Sequence, residues 1–196
     1  MKKIFTLLFI CFSILCFAQI NVGNNQTICL GNTAQVIATT SVQASTDSYQ
    51  VTSITFSPET TAGTPISLTD DVVQGPFPIG FTFQFYGNNY TDFYVGSNGW
   101  IGFSALQPTS YIASPIPDAT STVMPRNCIM LSWEDLNPAT GGQVLYQTIG
   151  NAPNRKMALT FDNIPYFLST TAGPVTLQVV LYEGSNVIDN HITDKP

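Results

Sequence analysis

Charge is what this sequence has least of. Asp, Glu, Lys and Arg make up 9% of the 196 residues, against about 25% in ordinary soluble domains, and Ser, Thr, Asn and Gln stand where charges usually do. There is one histidine, His191. A Ser-His-Asp or Cys-His arrangement would therefore hang on a residue of the last β-run, and such catalysis needs a base oriented by a third group. Six basic residues face twelve acidic ones, which sets nucleic acid and anionic membrane surfaces aside as partners. After residue 18 no stretch of useful length carries the apolar i, i+3, i+4 spacing of a helix. Phosphate-loop and zinc spacings are missing too, and Gly96-Ser97-Asn98-Gly99 lacks the glycine spacing of a nucleophile elbow. These absences leave a non-enzymatic, all-β protein.

Residues 1–18 read as a secretory signal peptide: Lys2 and Lys3 precede an apolar run from Ile4 to Phe17 that is short for a membrane span. Cleavage before Gln19 removes both lysines and keeps every acidic residue, so the net charge goes from −6 to −8. No membrane insertion is expected after cleavage. Cys11 and Cys16 leave with the signal, and Cys29 and Cys128 remain. An oxidising compartment permits a Cys29–Cys128 disulfide; equally open are pairing with a cysteine beyond Pro196 and a buried, reduced state.

What is present is β-structure. Residues 19–46 are polar, with short apolar spots at Thr27 to Leu30 and Ala34 to Ala38 around a Gly31-Asn32 turn, and Ser41 to Ser48 makes a hydroxyl-rich join. Residues 47–196 form the main domain, opening on a strand through Tyr49, Val51, Ile54 and Phe56. Pro78 to Phe103 is its spine: Phe81, Phe83 and Phe85 share one face of an extended segment, with Thr82 and Gln84 on the other. Turns at Gly87-Asn88-Asn89 and Ser97-Asn98-Gly99 make it a three-stranded meander, preceded by a segment that Gly75-Pro76-Phe77-Pro78 ends. Gln107 to Pro125, with its four prolines, is expected to be a long surface loop. Cys128 to Trp133, with Ile129, Leu131 and Trp133 on one face, then Gln143 to Ile149, Arg155 to Phe161, Val175 to Tyr182 and Val187 to Ile192 supply further strands. Short strands at such spacing predict an antiparallel β-sandwich, jelly-roll-like, with long loops.

The order FxFxFYGNxYTxxYVxSNGxIxF, then IxxxWxDLNP, GGxVxYxTxG, FDNIPYF and VxLYEGSNVI resembles the nidogen-like β-domain. The likeness is greatest to versions in surface proteins of gliding Gram-negative bacteria that use type IX secretion. Thr27 to Val36 resembles the opening hairpin of an immunoglobulin-like repeat. The resemblance implies an extracellular or outer-surface module of adhesion or matrix proteins, with no catalytic residue. Proteins of that route end in a sorting domain, and this chain stops directly after a strand. The expectation is a chain truncated at its C-terminal end, the N-terminal part of a larger surface protein, or a periplasmic protein if complete.

Two sets of residues are candidate contacts. Loop carboxylates are how β-modules hold calcium, and the adjacent pairs Asp70-Asp71 and Glu134-Asp135 are placed for it; Asp70, Asp71 and Asp135 are the favoured ligands of a Ca2+ ion, with turn capping as the alternative. Adjacent strand residues point to opposite faces, so both members of a pair reach one ion only in an irregular loop. Trp100 and Trp133 are expected in the core, whereas Tyr90 and Tyr111, beside turns and loops, are candidates for contact with an extracellular glycan or protein surface. The functional expectation is an adhesion or structural module; the alternative is a carbohydrate-binding accessory module of a secreted hydrolase.

Overall fold

The computed structural model describes residues 20–21, 39–40, 51–116, 118, 120–169 and 171–196. It divides into two units, 1–54 and 55–196. In the first, β1 (Ile20–Asn21) pairs antiparallel with β2 (Thr39–Thr40). The expected signal peptide, the two apolar spots, the hydroxyl-rich join, Cys29 and Tyr49 lie outside the described residues.

The second unit is a sandwich of two antiparallel sheets. Its strands are β3 (Thr64–Ile66), β4 (Val73–Phe85), β5 (Asn88–Gly96), β6 (Trp100–Gly102), β7 (Cys128–Met130), β8 (Gln143–Ile149), β9 (Lys156–Ile164), β10 (Val175–Tyr182) and β11 (Ile188–Asp194). One sheet has the order β4-β5-β6-β7 and the other β11-β10-β9-β8-β3. Period-2 alternation turns one face of each toward the other. Phe81, Phe83, Phe93, Val95 and Ile101 from the first sheet meet Met157, Leu159, Phe161, Leu177, Val179 and Leu181 from the second in one core.

The outer faces are covered as well. On the larger sheet Ala158, Thr160, Gln178 and Val180 point away from the core and are still buried. Residues 55–63 cross them as a strap. Gln178 holds the strap as a neighbouring strand would: its Oε1 accepts from the Glu59 amide at 2.7 Å and its Nε2 donates to the Glu59 carbonyl at 3.0 Å. Phe56 meets His191 of β11 edge-on, Lys156 pairs with Glu59, and Gln147 of β8 donates to the Thr60 carbonyl. The strand expected through Val51, Ile54 and Phe56 is thus not formed. Among the described residues they have no ladder partner, and Val51 and Ile54 are exposed.

On the smaller sheet, Trp100 alternates with Ile101 and so faces outward, where it packs with Met124 and Trp133 under the segment 104–127. Gly96 makes room for it, since a Cβ there would lie 2.1 Å from the Trp100 ring. The described residues of the proline-rich stretch are irregular, as expected, and Gln107 clamps them: its amide accepts from and donates to the backbone of Arg126 at 2.8 and 2.5 Å.

Two expectations need correction. Gly75 to Pro78 does not end a segment; β4 runs through it, because an edge strand tolerates prolines that cannot donate to a ladder. The strand at Cys128 stops at Met130 rather than Trp133. Trp133 has a φ of 46°, and its side chain joins Trp100 while Ile129 and Leu131 stay with the main core.

Candidate functional site

Among the described residues three carboxylates gather at one end of the sandwich. Asp70 and Asp71 sit in the turn between β3 and β4, and Asp135 follows β7; one carboxylate oxygen from each comes within 4.8 Å of the others. Alternation would have parted Asp70 from Asp71. The φ of 49° at Asp71 breaks it and brings both side chains to one side. All three expected calcium ligands are therefore neighbours, whereas Glu134 is engaged elsewhere, pairing with Lys195 at 2.8 Å.

A buried turn positions the triad. Ser97 and Asn98, at the tip of the β5–β6 hairpin, are fully buried. The Ser97 amide donates to the Val72 carbonyl at 2.9 Å and its Oγ accepts from the Val72 amide at 3.1 Å, fixing the chain just after Asp71. The Asn98 carbonyl accepts from the Glu134 amide at 3.3 Å and its Oδ1 from the Leu136 amide at 3.0 Å, so Asp135 is held from both sides. Asn98 Nδ2 donates to Asp71 Oδ1 at 2.9 Å and to the Thr109 carbonyl at 3.1 Å. Gly99 completes the turn with a φ of 76°, and a Cβ there would stand 2.9 Å from Ser132 Oγ. Asn98 was not singled out from sequence, where it served as a turn former. The available signal was an asparagine between two β-runs too apolar to leave their connection in water.

Among the described residues no cation pairs with the triad. Burial and the charge of Asp71 push the Asp70 carboxyl above the usual range, and burial with the charges of Asp70 and Asp71 does the same to Asp135. Asp70 Oδ1 is buried without a hydrogen-bond partner. Three hard oxygen donors converging from two loops suit calcium or magnesium, not a thiophilic metal, and remaining positions would be filled by carbonyls or water.

Both candidate contact tyrosines are half-buried. Tyr90 has its ring stacked on Phe103 at 4.8 Å and its hydroxyl accepting from Asn127 at 3.0 Å. Tyr111 lies against Trp133, with ring centroids 5.2 Å apart, and its amide donates to Asp71 Oδ1 at 3.3 Å. The structure thus ties Tyr111 to the triad through its backbone. Trp100 and Trp133 are buried, but in the outer cluster with Met124 and not in the expected core between the sheets. Among the described residues Cys128 is a free, half-buried cysteine whose thiol burial pushes up to about 11, and its expected partner Cys29 lies outside those residues.

A family model described as NIDO related matches residues 47–195. This chain belongs to the NIDO-related family. The match takes in the whole sandwich and the triad, and it accords with the resemblance to nidogen-like domains read from the motifs. No curated protein and no solved structure matches the chain. Among the described residues no helix is long and apolar enough to cross a membrane.

Proposed function

We propose that this protein is an extracellular structural or adhesion module without catalytic activity, exported behind residues 1–18, in the manner of the bacterial surface proteins its motifs resemble. The observation that carries the reading is membership of the NIDO-related family over the sandwich. The calcium reading extends it: Asp70, Asp71 and Asp135 hold a Ca2+ ion that offsets their mutual repulsion and stiffens the end of the sandwich where three loops meet. The carboxylates supply charge, Asn98 sets their spacing, and the ion's role is structural.

Beads coated with the full chain and presented to intact cells and to extracellular-matrix preparations test the adhesive role. Saturable retention above albumin-coated beads is expected, and retention equal to albumin would overturn it. Calcium is tested separately by isothermal titration with CaCl2; absence of a binding heat would remove the metal and leave the module.

A further inference from the structure

We infer that the gap where β4 parts from β5 carries a second site, a shallow groove for a neutral saccharide. The inference rests on the reading of the protein as an extracellular binding module. The ladder between β4 and β5 pairs Pro78 with Asp92 and resumes only at Phe83 with Tyr90, so four residues of β4 stand opposite Thr91 alone. The excess chain bends toward the other sheet. The Ile79 carbonyl accepts from Thr148 Oγ1 at 2.8 Å, and the Gly80 carbonyl from Arg155 Nη1. Where the strands part, a groove of about 390 Å³ opens, lined by Pro78, Phe81, Thr82, Thr91, Asp92 and Arg155. That volume is near the lower limit of small-ligand sites.

The chemistry of the walls selects the ligand. Arg155 is neutralised by Glu183 through two hydrogen bonds, at 2.8 and 2.5 Å, and lies over the Phe81 ring. Asp92 stands exposed on the opposite strand with one oxygen fixed by Thr91 Oγ1 at 2.8 Å. The groove therefore holds one uncompensated negative charge, which disfavours phosphate, sulfate and carboxylate ligands. A peptide adding as a strand would need the β4 carbonyls that Thr148 and Arg155 occupy. A ring bearing adjacent hydroxyls meets every condition. Two hydroxyls donate to Asp92, others exchange hydrogen bonds with Thr82, Thr91 and the free guanidinium hydrogens, and a C–H face rests on Pro78.

The test probes the full chain on a glycan array and a random-peptide array side by side, with Asp92→Ala and Thr82→Val as exposed substitutions whose folding is checked by thermal melting. Retention of at least one neutral saccharide is expected, weakened at least tenfold by Asp92→Ala and unchanged by EDTA. Three results would overturn the site: no saccharide retained, peptides retained instead, or saccharide binding that EDTA abolishes and Asp92→Ala leaves intact. Saccharide binding with albumin-level bead retention would sink the adhesive reading and keep the groove.

Discussion

The protein places two carboxylate sites at its surface and treats them in opposite ways. At the turns joining β8 to β9 and β10 to β11, Glu183 meets Arg155 in a two-point ion pair that holds its carboxyl down to about 2. At the Asn98 turn, Asp70 is pushed up by burial and the charge of Asp71, and Asp135 by burial and the charges of Asp70 and Asp71. The first arrangement is complete within the chain. The second is held together by hydrogen bonds from a buried asparagine against its own repulsion, and under the calcium proposal a cation from outside would complete it. A carboxylate's stabilising or destabilising role thus follows from what the backbone sets beside it.

The sharpest way to break this contrast is Asn98→Ala. It removes three hydrogen bonds and strands the Leu136 amide, so a loss of about 3 kcal/mol is expected in urea unfolding, with calcium affinity lost in the same variant. Calcium itself comes next. At a hundredfold excess over Kd it should stabilise the folded chain by about 2.7 kcal/mol, seen as a raised Tm, and Asp71→Asn with Asp135→Asn should abolish the rise. A third comparison uses opposite signs. Without calcium, Asp135→Asn should stabilise by about 0.5 kcal/mol by relieving like-charge repulsion, whereas Glu183→Gln should lower Tm by removing the partner of Arg155.

Acid separates the two sites with the smallest effect. The Glu183 carboxyl is depressed in the folded state, so its contribution is complete above the ordinary value of 4.5 and lost as pH falls toward about 2. Asp70 and Asp135 are raised above 3.8 in the folded state, so their effect is reversed. They favour folding below that value, and the gain disappears as pH rises through their folded pKa. Melting curves of Glu183→Gln and Asp135→Asn between pH 2 and 6 should deviate from the parent in opposite directions. Parallel curves would dissolve the contrast.

Much of the sandwich was legible because alternation is a local signal. Phe81, Phe83 and Phe85 announce β4, and Val175 to Tyr182 matches β10 at both ends. The three carboxylates were legible from their place between β-runs, and the fold brings them together. What escaped depends on contacts distant in sequence. Nothing near Gln178 marks it as the holder of Glu59, 119 residues away, and Gln107 looks like any loop glutamine while it closes the segment ending at Arg126. Asn98 is similar: an Asn-Gly pair reads as a turn, and its burial is set by Asp71, Thr109 and Leu136 arriving from elsewhere. Trp133 escaped because a positive φ cancelled the alternation that should have placed it.

The strap has a mechanical meaning. It runs across the strands of the larger sheet, so tension on residues before 55 loads its attachments at Phe56, Glu59 and Thr60 in succession instead of together. Bonds loaded in succession fail like a zipper, each at low force, while the ladders beneath stay closed. A single-molecule pull from the N-terminal side should record a small extension of a few residues before the main rupture, and Gln178→Ala should erase it. The sandwich would then carry a built-in shock absorber at the point where the upstream chain tugs on it.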